Sequence, residues 1–553
     1  MTARSRLYKI VAILMVAAFL VAGCAPAAPA APTAPAAPAA PATSAPAAPA
    51  APAATTAPAA PADTAVPAAP AKKTFVFGRY TDAINPDPVF NDANADIWYM
   101  QQYYNGLTRF KMDNSVEADL AESWEISDDG LTYTFKLRPD AKFSDGSPIT
   151  GADWQWSLDR CRDPKNGIWA FTMEAVDTVT ATDTEVVFKL KQATPYFLST
   201  TAMFNCVVMP GKQVEAAGGW EKFMLAPVGS GPFIMKEWVK GDHMLLVRNP
   251  YYWEKGKPIL DEILIKTIPD DNTRILALQK GDVDAINYPP FNRVADLNKD
   301  PNLRALTFDG TYTSFLVLNV RNKPLNDAKV RLALSYALDR EALIKTVNFG
   351  VGTPATSFRP KGSLYFNDTL PGWPYDIAKA KSLLAEAGYP NGFTTTLEIV
   401  PGREQAKQIA TLAQAMWSQI GVKLEIKQME AGIYTDSYRK ETFVMQVRGW
   451  TDDIPDPSQE VSYAMSSKPI NFMHTGFSGP DAVKADELAA AGIKENDPAK
   501  RQQIYFDIQK IFNDNVFFIP LWYEPYLVAT RSSVVNFQQT PLGIYIWRDL
   551  DKK

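Results

Sequence analysis

Two histidines, His243 and His474, and three cysteines, Cys24, Cys161 and Cys206, are all that 553 residues hold of the usual transition-metal ligands. The histidines lie far apart in the chain. This excludes most zinc sites and makes histidine-dependent catalysis a poor fit, so no catalytic residue, metal or cofactor is expected. Positive charge is also scarce. There are 56 Lys and Arg against 61 Asp and Glu, a net charge of −5 and a pI near 5.4. A nucleic-acid surface wants clustered positive charge, and none is expected here. The leading apolar run, Ile10 to Gly23, has 14 residues, short of the ~20 a membrane-spanning helix needs. What the chain has instead is aromatic: 13 Trp and 22 Tyr, a composition that points to binding more than to chemistry.

Arg4, Arg6 and Lys9 precede the apolar run, which closes with Val21-Ala22-Gly23-Cys24. Charge followed by a short apolar stretch is the order of a secretory signal. The small residues ending in cysteine resemble the bacterial lipobox, so residues 1–23 are expected to be removed and Cys24 to carry lipid. An ordinary signal peptide with an incidental cysteine is the plainer alternative. Without the leader the chain has 53 Lys and Arg against 61 Asp and Glu, a net charge of −8. Residues 25–71 contain 26 Ala and 13 Pro, with Pro26, Pro29, Pro32, Pro35, Pro38 and Pro41 at every third position. Such repeats cannot build a core, and each proline disfavours helix at the residue before it. Residues 24–73 are read as a lipidated cysteine and a disordered polyproline-like tether, reaching at most about 150 Å at ~3.1 Å per residue.

Some 480 residues remain, room for two to four domains at ~100–200 residues each. In Leu120 to Arg160, Asp129-Gly130 and Asp145-Gly146 mark hairpin turns, and Tyr133, Phe135 and Leu137 alternate with polar residues as in a half-buried strand. Thr150 and Asp153 form a capping-box start for a helix placing Trp154, Leu158 and Cys161 on one face. Further on, Asp376 caps a helix with Ile377, Ala380, Leu384 and Ala387 on one face. A strand at 393–400, a helix near 404–420, a strand at 422–428 and a helix from Asp497-Pro498 follow. Alternation of this kind predicts an α/β fold with mixed sheets covered by helices.

Ordered signatures run through this part: Leu120-Ala121-Glu122-Ser123-Trp124, Phe143-Ser144-Asp145-Gly146, Pro227 to Phe233 (PVGSGPF), Asn249 to Trp253 (NPYYW), Leu278 to Asp284 (LQKGDVD) and Val330 to Arg340 (VRLALSYALDR). Their succession resembles the family-5 solute-binding proteins, the peptide- and nickel-type receptors of ABC importers, over about residues 74–553. The resemblance implies a two-lobed, type II periplasmic-binding-protein fold with a hinge between the lobes and an additional inserted domain. Lobe I would be split over 74–112, 226–313 and 524–553, the inserted domain would span 113–225, and lobe III would span 314–523. It also implies a monomer working with an ABC permease and ATPase at the outer face of the cell membrane or in the periplasm.

Gly449 to Pro457 (GWTDDIPDP) is turn-like by composition alone. It resembles the family's ligand-facing loop, GW-x-x-D-x-x-D/E-P. Position by position, Asp453 is then the residue pairing with a peptide's α-ammonium group, and Asp456 stands at the second acidic position. An ammonium taken out of water needs an opposing charge within hydrogen-bond reach. Trp450 would supply a flat wall. Asp452 departs from the pattern, where peptide receptors carry a small neutral residue; it either reinforces the anionic site or faces solvent. The stretch Trp98 to Leu107 matches the place where the first lobe meets the cleft, which makes Tyr104 and Asn105 cleft residues; aromatics at helical spacing pack in cores equally well. Gly229-Ser230-Gly231 lacks the spacing of a nucleophile elbow or a phosphate loop and reads as a tight scaffold turn. Cys161 and Cys206 fall in the inserted domain, as a disulfide in an exported protein or as two buried free thiols.

The leading expectation is a lipid-anchored receptor that captures a di- or oligopeptide between lobes and delivers it to a permease. A metal complex, an opine or an oligosaccharide is the alternative ligand, and signalling through a sensor protein the alternative output. A stalk-anchored hydrolase is the competing class, and it lacks any recognisable nucleophile–base pair.

Overall fold

The computed structural model describes residues 72–553 apart from 91–93, 166–168, 362, 466 and 468–474. The leader, Cys24, the stalk and His474 lie outside the described residues. By its contacts the chain divides into Met1–Ala69 and Pro70–Lys553, and only the second unit is described below.

Two long strands, Leu303–Leu318 and Phe518–Arg531, run antiparallel at the centre of an eleven-stranded mixed sheet. On one side follow Met445–Trp450, Thr394–Ile399 and Lys423–Gln428; on the other, Ala285–Asn287, Thr74–Arg79, Glu262–Thr267, His243–Arg248 and Phe233–Val239. At ~3.3 Å per residue, the strand from Leu303 to Leu318 extends about 50 Å, enough to serve more than one core. It does so: Leu306 and Phe308 pack against one apolar cluster, Leu316 and Leu318 belong to a second, and Phe315 and Val317 to a third. The ladder breaks between Phe308 and Tyr312, and Tyr312 resumes it opposite Glu524. That break falls beside the positions, 313 and 524, at which the sequence places the lobe crossings.

The first cluster is aromatic, with Phe77, Tyr99, Tyr545 and Trp547 in mutual contact. In the second, the helix Glu404–Ser418 buries Ile409, Ala410, Ala413, Met416 and Trp417, and the Trp417 indole N–H donates to the Leu334 carbonyl at 2.9 Å. Each large apolar side chain taken fully out of water contributes about 1.5–3 kcal/mol. A separate four-stranded antiparallel sheet, Ala121–Ile126, Thr132–Leu137, Glu185–Leu190 and Val176–Ala181, lies within the expected inserted segment. The helix Gly151–Arg162 shares its core, burying Trp154, Leu158 and Cys161 against Phe135 and Phe188, and its capping box between Thr150 and Asp153 forms as the sequence predicts.

The Gly229–Gly231 turn is scaffold. A Cβ on Gly229 would sit 1.9 Å from the Tyr103 carbonyl oxygen, and one on Gly231 would sit 2.5 Å from the Tyr103 carbonyl carbon. The Gly231 N–H donates to that same Tyr103 oxygen at 3.0 Å, so the two backbones meet where only glycine fits. Both cysteines of the inserted segment are buried free thiols. Among the described residues no helix is long and apolar enough to cross a membrane, and no group of three or more His, Cys, Asp or Glu could hold a metal ion. His243, on an edge-side strand, hydrogen-bonds its sequence neighbour Asp242 at 2.6 Å.

Candidate functional site

The strand Met445–Trp450 ends where Pro455 and Pro457 can no longer supply ladder N–H groups, and the chain turns through 451–456 into the helix Pro457–Ala464. Asp456 caps that helix, accepting from Ser458 N at 2.9 Å, with Pro457 at its first position. The same carboxylate receives both terminal nitrogens of Arg501, at 2.6 and 2.8 Å. Asp456 is therefore fully engaged inside the protein. Its bidentate pair and its cap structure the loop.

Asp452 and Asp453 are placed differently. Asp452 is 1% exposed, which removes the reading in which it faces solvent. Its backbone N–H donates to Thr311 Oγ1 at 3.1 Å, and its Oδ1 accepts from the Trp450 indole at 2.8 Å. Its Oδ2 has no hydrogen-bond partner and lies 3.8 Å from the guanidinium of Arg359. Arg359, also buried, is shared. It binds Glu460 at 2.6 Å, donates to the carbonyls of Pro455 (2.9 Å) and Leu364 (2.7 Å), and is the one cation in contact with these carboxyls among the described residues. Asp453 is half-buried and holds no ion pair: its Oδ2 accepts from the Gln459 amide at 2.6 Å, while Gln459 Oε1 accepts from the N–H groups of Asp453 and Ile454.

Burial dominates the electrostatics. Desolvation pushes the Asp453 carboxyl up to about 7, with the Gln459 hydrogen bond opposing and the charge of Asp452 adding to the rise. Desolvation likewise raises Glu460 to about 8 and raises Asp452, in both cases against the pull of Arg359. Asp452 and Glu460 thus share one guanidinium, and Asp453 beside them has none. The site is short of positive charge, and a cation entering beside Asp453 would be stabilised there.

The sequence singles out Trp450 and Asp453, and the structure joins them through Asp452. Trp450 packs against the cluster containing Phe315 and Phe358. Ile454, in the same loop, is buried in a different cluster, with Trp98, Tyr104 and Tyr526. Tyr104 and Asn105 are not brought to Asp453 by any contact among the described residues. Tyr104 is fully buried, with its hydroxyl 3.5 Å from Met224 Sδ. Asn105 spends its amide on Asp119 at 2.8 and 3.1 Å, and its backbone N–H donates to Ser230 Oγ at 2.9 Å. Both are held by the partners that bury them.

Sequence reading missed Arg359, Gln459, Glu460, Thr311 and Tyr526, the last raised by burial and by the charges of Asp452 and Asp453. Gln459 and Glu460 were findable: they stand in the first turn of a helix whose Asp-Pro start points that turn back at the loop. Arg448, two residues before Trp450, is a further half-buried cation. It stacks 3.5 Å over the Tyr438 ring and donates only to the Gln446 side-chain oxygen, with no carboxylate in ion-pair range among the described residues.

A mixed sheet crossed by two long strands carries the half-buried carboxyl of Asp453 just beyond the end of its strand Met445–Trp450. The chain belongs to the bacterial extracellular solute-binding proteins, family 5, whose description matches residues 115–472. The glutathione-binding protein GsiB of Escherichia coli (strain K12) is 32% identical over 469 residues, covering 82% of this chain and 89% of that protein. Among solved structures, HbpA2 from Haemophilus parasuis superposes with a TM-score of 0.77 at 30% identity, over 87% of this chain and all (100%) of that one. The periplasmic binding protein DppA from Helicobacter pylori, in complex with the peptide STSA, gives 0.74 at 27%, over 87% and 98%. The fold is therefore that of the type II periplasmic binding proteins. Binding proteins of this family are periplasmic or extracellular, take peptides or small ligands, and work with an ABC permease and ATPase.

Proposed function

We propose that this chain is a lipid-anchored receptor that captures a short peptide with a free α-ammonium group and delivers it to an ABC permease. The observation that carries the reading is the carboxyl of Asp453, half-buried, with an amide as its hydrogen-bond partner and with Asp452 beside it. An α-ammonium group supplies the missing charge and hydrogen-bond donors together. Trp450 shapes the pocket wall through Asp452, Asp456 fixes the loop through Arg501, and Tyr104 and Asn105 brace the wall from the first lobe. Lobes 74–112/226–313/524–553 and 314–523 close on the ligand about the strands near 313 and 524, with 113–225 as the inserted domain. Cys24 carries the lipid at the end of the leader, and the Ala/Pro stalk gives the receptor reach; the working unit is a monomer.

Among peptides, glutathione is the first to test, since it is the ligand named for relatives at 32% identity. Glutathione offers one ammonium and two carboxylates, and Arg448 is a cation without a carboxylate partner among the described residues. Native mass spectrometry of the purified protein is the direct experiment. A co-purified mass identified as an amine-bearing peptide supports the reading, and a neutral oligosaccharide or a metal chelate in the site overturns it. For the anchor, Cys24→Ser should release the protein from membranes. Retention of that variant after a high-salt wash would contradict the lipoprotein assignment.

A further inference from the structure

Outside the ligand loop, the two thiols of the described residues, Cys161 and Cys206, lie against each other. We infer that they form a reversible dithiol–disulfide pair that staples the inserted segment to its crossover from the first lobe. Their sulfurs lie 3.6 Å apart, both side chains are buried, and 45 positions separate them in sequence. A disulfide needs about 2.05 Å, so each sulfur has to move only ~0.8 Å, within reach of a small side-chain rotation. Asn205 donates to Cys161 Sγ at 3.3 Å and to Thr172 Oγ1 at 3.2 Å, holding the loop that carries Cys206 against the helix Gly151–Arg162.

What the bond would tie together gives it consequence. The residue after Cys206, Val207, bridges to Gly106, and Val208 N–H donates to the Asn105 carbonyl at 3.0 Å. From Gly106 the chain runs through the paired strands Thr108–Phe110 and Val116–Ala118 into the four-stranded sheet at Ala121. The 161–206 loop also encloses the strands Val176–Ala181 and Glu185–Leu190. Oxidation would fix helix, loop and crossover in one covalent unit and restrict the unfolded chain. The compartment is suitable, since disulfides form and persist in periplasmic and extracellular space.

The chemistry balances as thiol–disulfide exchange. The two thiols lose their protons and give two electrons to an external disulfide, R–S–S–R. Its S–S bond breaks to two R–SH as the Cys161–Cys206 bond forms. Burial pushes the Cys206 thiol well above its ordinary value, so thiolate is scarce in the folded state. The exchange then proceeds during folding after export, or through local opening of the segment.

The test uses the full chain, exported by a bacterial host, acid-quenched, alkylated under denaturing conditions without reductant and mapped by peptide mass. A 161–206 cross-linked peptide, lighter by two hydrogens, is expected. Dithiothreitol should then lower the thermal midpoint by several degrees in the wild type and leave Cys161→Ala and Cys206→Ala unmoved. Protein made reduced, and warmed with 2-hydroxyethyl disulfide to near its midpoint, should gain the same link. Full alkylation of both cysteines after both treatments would overturn the inference, as would a link to Cys24 instead. A midpoint indifferent to reductant in cross-linked protein would overturn the staple. If a variant fails to fold, the wild-type midpoints with and without reductant still decide.

Discussion

Replacing Asp453 by alanine removes the one carboxyl of the site that no protein cation engages. Losing one partner of a buried charge pair typically costs ~3–5 kcal/mol. Asp453 is only half-buried, and its hydrogen bond to Gln459 already occupies one oxygen, so screening reduces the expected loss to about 2–4 kcal/mol. At ~1.4 kcal/mol per decade, affinity for an amine-bearing peptide should fall by roughly thirtyfold to several hundredfold. Asp453→Asn keeps the shape and the acceptor for Gln459, so it isolates the charge and should lose somewhat less. Since ionising a buried carboxyl is unfavourable without a counter-charge, Asp453→Asn should also make the unliganded protein more stable at pH 8 than the wild type. Calorimetric titration of the tightest binder from a panel of short peptides and glutathione, alongside thermal midpoints of all three proteins, measures both effects. Affinities of both variants within a few fold of the wild type would show that Asp453 does not hold the ligand, because a ligand held by its amine cannot be indifferent to that carboxyl.

Further outcomes follow from the same geometry. Asp453 sits near 7 when folded, against about 4 in an unfolded chain. Its stabilising contribution is thus complete below about pH 4 and lost as pH rises through 7 in the unliganded protein. Ligand affinity runs the other way, rising up to about tenfold per pH unit from 5 to 7 and then levelling. Binding near neutrality should release a proton, seen as a buffer-dependent heat, and a flat profile from pH 5 to 8 would contradict this. Asp452→Asn removes the neighbouring charge that adds to the rise, so it should move the midpoint of that profile to lower pH. Asp456→Asn weakens the pair with Arg501 and should cost stability on the order of 2–3 kcal/mol by denaturant titration, with affinity lost through the loop; unchanged stability would show the pair to be dispensable. Gly229→Ala should yield little folded protein, since its Cβ would fall 1.9 Å from a backbone oxygen, and a normal yield would show that the turn yields.

Much of the fold was legible because local signals agreed with the global pattern. The capping box at Thr150, the caps at Asp376 and Asp497, and the alternating strand from Thr132 to Leu137 all form as read. The eleven-stranded sheet was not legible at the level of register. Its two central strands are 16 and 14 residues long, and their pairing spans two hundred positions of sequence. In the candidate site, a motif match singled out Asp453 and Trp450, whereas the state of each carboxyl depends on partners from distant segments. Asp456 is taken by Arg501, 45 positions away, and Asp452 and Glu460 share Arg359, about 100 positions away. Periodicity cannot reveal which arginine reaches which acid. The surroundings of Tyr104 and Asn105 were hidden for the same reason: their partners, Met224, Asp119 and Ser230, come from elsewhere in the chain.

The proposed role of Asp453 is to pair with a ligand ammonium. Its most direct test is a paired titration of the wild-type protein with one peptide in its free and N-acetylated forms at pH 8. Acetylation removes the cation and leaves the rest of the ligand, so affinity should fall by about thirtyfold or more, with little change in closed-state scattering at saturation. Equal affinity for the two forms would contradict it.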